Sequence, residues 1–523
     1  MCEEKKLGHF LLLTVAITGA LVMVIEITGA RIIAPYFGVG LFVWTSLISV
    51  TLLALAAGYW VGGGLADRRQ SADTLYALIG LAGFYVLLTP WLREPVLKMC
   101  VPLGLRAGAF VSAGILFAPP LFLLGAVSPL AVRLSSRAWD NLGRTVGLLY
   151  AISTAGSFIG SVITGFYLLA NFGVSKTILI TGITLVALSA YYFLLIGRRP
   201  AIAVIALAAA FPLLLTPARS VEANLPDGTV ATIIDQRDSF YGLVKVIDYR
   251  YGPRGIRELT IDGLVQGGID SASGLPIYEY LALLQYLPQQ LRPEIRSALV
   301  IGLGSGVLPR SYAQQGIRTE AIDIDPVVVE LCRKHFGLPP ELPVHIEDAR
   351  TYLSRPGTQY DLIVLDVFSG DTTPAHLLSV ESMRSLKARL NPGGLIAFNL
   401  IGSLQAADAT LPSIIATART EFAHALLYPL FKAPANEGNV VLLASDQSLT
   451  PSTASSFPGT LSPMVVAGLQ HALANPVVVN DRFAGHLTLT DDFNPIDTRD
   501  QTTRDAVRHA ILTTTPSALL SSN

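Results

Sequence analysis

The chain has 523 residues, with 37 Lys and Arg against 38 Asp and Glu, and 51% of its residues are apolar. This near-neutral balance argues against a general grip on nucleic acid, which needs a basic face. The length leaves room for two or three domains. The three cysteines, Cys2, Cys100 and Cys332, stand too far apart for a zinc spacing or a disulfide framework. Cys332, inside ELCRKHF, reads as packing on a helix.

Composition divides the chain. Roughly the first two-fifths is apolar with charges in short clusters, and the remainder is mixed as in a soluble domain. Met1–Gly8 is short and charged. The apolar run after it is too long for a signal-peptide core and has no small-residue cleavage site, so it reads as a first membrane helix. Spans are expected near 9–33, 41–64, 73–91, 107–132, 146–170, 174–196 and 200–217, about seven in all. The last carries Pro212 and Pro217 and is the weakest of them. Gly156, Ser157, Gly160 and Ser161 suit close helix packing in lipid, and Pro119-Pro120 predicts a kink. Lys5-Lys6, Arg68-Arg69, Arg133 with Arg137 and Arg144, and Arg198-Arg199 all fall on one side, which predicts a cytoplasmic N-terminus. Glu26 lies mid-helix in the first span. At membrane depth a carboxylate marks either a pathway or site, or a structural hydrogen bond. GYWVGGGLADRR resembles the loop after the second helix of major facilitator transporters, although the chain has too few spans for a complete one.

In the second half, Thr229–Asp235, Gly242–Tyr249 and Arg257–Asp262 read as strands of a small antiparallel sheet. Asp262-Gly263 is a hairpin turn. A helix is expected from about Pro276 to Leu287, and Pro293 marks a boundary. Strands and helices then alternate. The strands fall at 297–302, 318–323, 343–347, 360–366 and 394–400, with helices near 307–315, 326–336, 348–354 and 378–390. Such alternation predicts a parallel sheet covered on both faces. HALLYPL and GNVVLLAS would close it as an antiparallel pair. The order resembles class I methyltransferase-type Rossmann domains. A Ser/Thr/Pro-rich linker follows, then a helix near 461–474 and a tail, TTTPSALLSSN, expected to fray.

The chemistry gathers at the strand ends. In SALVIGLGSGVLPR a strand breaks into Gly302, Gly304 and Gly306 before a helix, bringing bare backbone N–H groups to a ligand, with Ser305 inside the turn. Asp323, beside Ile324, ends the second strand, where an acid accepts bonds from ribose hydroxyls. Asp348-Ala349 follows the third strand, placed for an adenine edge, and Asp366 closes the fourth. Each acid alone reads equally well as a helix cap or turn residue. On consecutive strand ends together they point to a nucleotide-like ligand.

Asp238-Ser239-Phe240-Tyr241 before a V-x-V strand, Leu259–Gln266 as L-x-x-D-G-x-x-Q, Tyr278-Glu279, GLGSG, Asp323-Ile324-Asp325, Glu347-Asp348-Ala349 and Asp361–Asp366 together resemble the spermidine synthases over roughly 230–445. The whole chain resembles membrane-fused spermidine synthase-like proteins, which carry D-x-F-S-x-D-x-x-P-x-H-L, as in Asp366–Leu377, and L-T-D-D-x-x-P, as in Leu489–Pro495. The resemblance implies aminopropyl transfer from decarboxylated S-adenosylmethionine to a polyamine amine, releasing methylthioadenosine. No prosthetic group or metal is implied. Asp366 would be the base and Tyr278 would help orient the amine. Gly302, Gly304, Ser305, Gly306, Asp323, Ile324, Asp348 and Ala349 would hold the donor. Tyr241, Gln266, Glu279 and Asp371 would hold the polyamine. A homodimer is implied, as is a polyamine substrate.

The chain departs from the family's pattern. Gly242 stands where the family has Gln, Glu279 replaces His or Gln, and Asp371 lies one or two positions late. Ser305 replaces the Asp that holds the donor's amine, so a donor retaining its carboxylate stays open. An S-adenosylmethionine-dependent methyltransferase, and a transport or sensing protein with a non-catalytic binding domain, remain alternatives. The expected organisation is an α-helical multi-span membrane domain over 1–218, a small β-rich domain over 219–292, a Rossmann-type donor-binding domain over 293–446 and an extension over 447–523. The protein is expected in the lipid bilayer of the cell's inner membrane. The soluble half is expected in the cytoplasm, where the donor is made, although seven spans would put it outside.

Overall fold

The helical half follows from its hydropathy. Helices α1 (Cys2–Phe37), α2 (Leu41–Arg68), α3 (Ala72–Cys100), α4 (Gly104–Gly125), α5 (Val127–Ser135), α6 (Leu142–Ile163), α7 (Leu169–Tyr191) and α8 (Pro200–Leu214) succeed one another in the computed structural model. It describes residues 2–135, 142–214, 222–225, 227–368, 373–404, 409–431, 437–451, 457, 460–479, 483, 485–496 and 501–520. Two units divide the chain: Met1–Ser220 with Asp238–Gly242 and Leu520–Asn523, and Val221–Arg237 with Leu243–Leu519.

Among the described residues, five helical stretches are long and apolar enough to cross a bilayer. One of them, Ala72–Ser135, runs for 64 residues. The chain breaks at Gly104, whose φ is 78°, so the stretch holds two crossing-length helices, α3 and α4. The expected run at 107–132 is itself divided between α4 and α5. The expected seventh run, 200–217, lies partly outside the described residues, and its described part is α8. Helix α8 has 15 residues. At about 1.5 Å per residue it rises about 22 Å, short of a hydrocarbon core of about 30 Å. Large apolar side chains such as Leu53, Trp60, Phe158, Phe166 and Ile205 face outward and are exposed.

The small residues act as expected. A Cβ on Gly156 would lie 2.1 Å from the Ala16 carbonyl oxygen, and one on Gly160 2.4 Å from that of Ala20. Ser157 Oγ donates to the Gly19 carbonyl at 3.0 Å. Helices α1 and α6 therefore meet backbone to backbone, as close packing in lipid requires. Gly160→Val is expected to lower stability by about 2 kcal/mol or more, because the obstacle is backbone that cannot rotate away. A lowered melting temperature of the detergent-solubilised protein checks this.

The second unit contains two sheets. The first is an antiparallel meander, β1-β2-β3-β4-β5, of Glu222–Asn224, Val230–Asp238, Leu243–Tyr251, Arg254–Ile261 and Leu264–Asp270. Its last hairpin turns on Asp262 and Gly263, at φ 48° and 80°. Ile261 pairs with Leu264 across this two-residue turn. Positive φ at both positions is the type I′ geometry that suits strand twist. The expectation ended this sheet at Asp262; β5 adds a further strand and carries Gln266.

Eight strands form the second sheet, in order β13-β11-β12-β10-β9-β6-β7-β8. They are β6 (Ser297–Ile301), β7 (Arg318–Asp323), β8 (Val344–Ile346), β9 (Tyr360–Leu365), β10 (Leu390–Ser403), β11 (His424–Pro429), β12 (Glu437–Ser445) and β13 (Val477–Val478). From β10 to β8 the pairing is parallel, while β12 runs antiparallel to β10 and to β11. All five residues of β6 are buried. Ala298 and Val300 enter one core, while Leu299 and Ile301 enter the other. Helices α9 (Glu279–Leu291), α10 (Val307–Gln314), α11 (Pro326–His335), α12 (Ala349–Ser354), α13 (Val380–Ala388), α14 (Thr410–Glu421) and α15 (Pro463–Ala474) follow in chain order. The result is a Rossmann fold of the methyltransferase and spermidine synthase kind, built on the expected strand series.

The tail does not fray as expected. Leu519, in the short helix Ser517–Leu520, is 2% exposed and packs with Ala231, Ile233 and Ile247 behind the small sheet. Its carbonyl accepts a hydrogen bond from Lys245 Nζ at 2.7 Å. A buried ammonium needs such an acceptor, and that requirement holds the tail in place.

Candidate active site

The glycine turn is built by close approach. Gly302, Gly304 and Gly306 have φ of 89°, 50° and 73°. A Cβ on Gly302 would lie 2.0 Å from the Asp366 carbonyl oxygen, and one on Gly304 2.5 Å from that of Gln266. Gly306 is the N-cap of α10. The turn is thus pressed between the end of β9 and strand β5. Ser305 is 2% exposed, and its hydroxyl has no hydrogen-bond partner. It lies against Gly267, where a Cβ would come within 2.5 Å of Ser305 Oγ.

Asp323 ends β7 and braces this turn. One oxygen accepts from Leu303 N at 2.8 Å, and the other from Asp325 N at 2.8 Å. Burial nevertheless pushes its carboxyl up to about 6. Ile324, next along, is 40% exposed at the strand end. Asp348 caps α12: one oxygen accepts from Thr351 N at 3.0 Å, and the other lies 3.3 Å from His376 Nε2. Ala349 is buried against the lower core.

Asp366 follows β9 directly, beside the glycine turn. Asn399 Nδ2 donates to its Oδ1 at 2.8 Å, and Asn439 Nδ2 donates to Asn399 Oδ1 at 2.9 Å. Burial pushes the Asp366 carboxyl up to about 6, and the Asn399 bond opposes the shift. Tyr278, the N-cap of α9, turns its hydroxyl to the Glu258 carboxylate. Its ring stacks on Tyr280, with centroids 6.1 Å apart and planes at 27°. Burial pushes the Glu258 carboxyl up, against bonds from Tyr278 and Tyr249. Tyr280 feels the charges of both Asp366 and Glu258, which puts the two acids around one aromatic pair.

The other expected residues divide. Gln266 lies over the turn through its backbone. Its side-chain amide reaches only its own strand, at 3.4 Å from the Leu264 carbonyl. Glu279 packs against α15, where a Cβ on Gly468 would come 2.3 Å from its Cγ. Tyr241 is 40% exposed in the Asp238–Gly242 loop, which groups with the helical unit. Asp371 lies outside the described residues. Glu26 is half-buried in α1. Among the described residues no cluster of three or more His, Cys, Asp or Glu is arranged to hold a metal ion.

Sequence reading did not single out Glu258, Tyr280, Asn399 or Asn439. Asn399 had a visible signal, since it interrupts the apolar run AFNL, whereas Asn439 stands at the start of VVLLAS and had none. The Leu489–Pro495 motif is a strap. Asp491 takes Arg350, and Ser379 Oγ donates to it at 2.5 Å. Asn494 Nδ2 donates to the Ala375 carbonyl at 2.7 Å, and Val380 N to that of Leu489 at 2.9 Å. These bonds tie the segment after Asp366 to the helix that Asp348 caps.

Residues 278–447 match the family described as the spermine/spermidine synthase domain. A polyamine aminopropyltransferase of Vibrio vulnificus is 32% identical over 30% of this chain and 52% of its own length. An N-terminal histidine N-methyltransferase of Emericella nidulans is 28% identical over 69% of each chain. The solved structure of a probable spermidine synthase from Corynebacterium glutamicum is 19% identical, covers 50% of this chain and 96% of that one, and superposes with a TM-score of 0.41. The chain spans about half the length of the Vibrio relative. The family match and these relatives support a spermidine synthase-like protein, a transferase of the spermidine synthase type.

Proposed function

We propose that the protein transfers an aminopropyl group from decarboxylated S-adenosylmethionine to a polyamine amine, such as putrescine. The observation that carries this reading is Asp366: a desolvated carboxyl beside the glycine turn, with one oxygen held by Asn399 and the other unengaged among the described residues. The donor would lie along Gly302–Gly306, with its ribose toward Asp323 and Ile324 and its adenine toward Asp348 and Ala349. The unpartnered Ser305 hydroxyl would meet the donor's aminopropyl end. Tyr278 and Gln266 would line the acceptor's path. The packing of Glu279 on α15 moves that role toward Glu258.

The acceptor nitrogen attacks the methylene carbon beside the sulfonium. The carbon–sulfur bond breaks, and its electron pair goes to sulfur, which leaves as the neutral thioether methylthioadenosine. An ammonium has no lone pair, so the nitrogen must lose one proton for the attack, and the secondary ammonium formed keeps the other two. Asp366 accepts the lost proton at its free oxygen. The sulfonium activates its own departure, so the chain's share is orientation and charge. With its carboxyl near 6, Asp366 is ionised at neutral pH and protonated below. Activity, as kcat/KM, is therefore expected to fall as pH drops through about 6. A profile flat from pH 5 to 8 would contradict the role.

A methyl-transfer reading has its own support. The Emericella methyltransferase matches over 69% of this chain, far beyond residues 278–447. Ser305 also carries no charge for a decarboxylated donor's amine. Incubation of the purified protein with putrescine and decarboxylated donor, with mass-spectrometric detection of spermidine, tests the main reading. No product from either the decarboxylated donor or S-adenosylmethionine, despite tight binding, would leave only a binding or sensing role.

The apolar helices support an anchor in the cell membrane. Six crossing-length helices would return the chain to the side of its N-terminus. With the basic clusters inside, an even number of crossings would put the catalytic unit in the cytoplasm. A homodimer is part of the same proposal.

A further inference from the structure

We propose that Asn399, held by Asn439, is a positioning residue that assigns the two oxygens of Asp366 different tasks, one fixed to the protein and one presented to the attacking amine. This rests on the aminopropyl-transfer reading of the site. Asn399 lies on β10, beside the end of β9, and is 1% exposed. A primary amide there can present either its oxygen or its NH2 to Asp366, and a carboxylate accepts only from the NH2. Asn439, on β12, settles the choice. Its Nδ2 donates to Asn399 Oδ1 at 2.9 Å, which leaves Asn399 Nδ2 facing Asp366 Oδ1 at 2.8 Å. Three side chains from three adjacent strands thus form one directed chain of hydrogen bonds ending on the base.

The groups that face Asp366 are few. Two phenols feel its charge, Tyr280 on helix α9 and Tyr312 on helix α10, and burial makes the ionisation of both harder. The Tyr312 hydroxyl is committed to the Leu284 carbonyl at 2.5 Å. Strand β10 presents Asn399, and no cation or metal is recorded beside the carboxyl among the described residues. The neutral amide is therefore the one side-chain donor that stabilises the ionised form. It does so without neutralising the charge, so Asp366 keeps both its charge and a basicity raised by burial. An arginine in that place would make a weaker base. Pinning Oδ1 also removes a rotational choice, so the proton leaves along one direction.

The test reads the carboxyl without turnover. Infrared difference titration of the full-length protein follows the protonated carboxyl of Asp366, assigned by its disappearance in Asp366→Asn. The wild-type midpoint is expected near 6. In Asn399→Leu the midpoint is expected to rise by about one pH unit, since a hydrogen bond to a charged group is lost. In Asn439→Leu, where Asn399 stays but loses its anchor, a smaller rise in the same direction is expected. The acid limb of kcat/KM should move with the midpoint, with donor KM nearly unchanged. An unmoved midpoint in folded Asn399→Leu overturns the proposal. Should that variant not fold, an unmoved midpoint in Asn439→Leu does so. Failure of the aminopropyl reading looks different: no methylthioadenosine formed from the decarboxylated donor, with the midpoints still shifted.

Discussion

Asp366→Asn is expected to lower turnover by about a thousandfold while donor affinity stays within a few-fold. The substitution is nearly isosteric, and the backbone contact with the glycine turn is untouched, because it runs through the Asp366 carbonyl rather than its side chain. What is lost is the proton acceptor. The amide also meets Asn399 Nδ2, which must be given an oxygen, so the new NH2 points to where the acceptor amine would sit. A donor-for-donor clash then adds to the missing base. Steady-state rates and calorimetric donor titration together check the claim. Equal turnover would remove Asp366 from the mechanism, and lost donor binding would recast it as structural.

The second large effect is expected at Gly302. In Gly302→Ala a Cβ must fit 2.0 Å from the Asp366 carbonyl oxygen, on a backbone with φ of 89°. Both obstacles are main chain, and they lie between two central strands whose residues are buried. Strained φ costs of order 1–3 kcal/mol, and the clash adds a similar amount. A loss of about 3 kcal/mol or more is expected, with donor binding abolished. Gly306→Ala makes the comparison. Its Cβ would find Cys332 at an ordinary 3.4 Å, so only the φ strain of 73° applies. Its expected loss is about 1–2 kcal/mol. Thermal unfolding of the two variants side by side checks the ranking. Equal melting temperatures would mean that the turn is looser than its geometry implies.

Much of this fold was legible in the residues because periodicity and breakers agreed. The strand ends at Asp323 and Asp366, the glycine turn and the Asp262-Gly263 hairpin all carry local signals that tertiary structure did not override. Three other features depend on contacts that no window of sequence contains. Glu279 shares its motif with Tyr278, yet helix geometry turns it to Gly468, more than 180 residues away. Leu519 reads as a frayed tail, because its partner Lys245 lies in a distant strand. The Asp491 strap forms only because the fold brings Arg350 and Ser379 to it. In the helical half, hydropathy found the apolar runs. The break at Gly104 divides one apolar stretch into α3 and α4, and a sliding average blurs it.

The central claim is that the group transferred is aminopropyl. It is tested most directly by giving the purified full-length protein both donors at equal concentration, with a diamine acceptor, and measuring the nucleoside products. Methylthioadenosine formed in step with a new polyamine is the expected result, with S-adenosylhomocysteine at background. S-adenosylhomocysteine as the main product, with no methylthioadenosine, would contradict it and make the protein a methyltransferase.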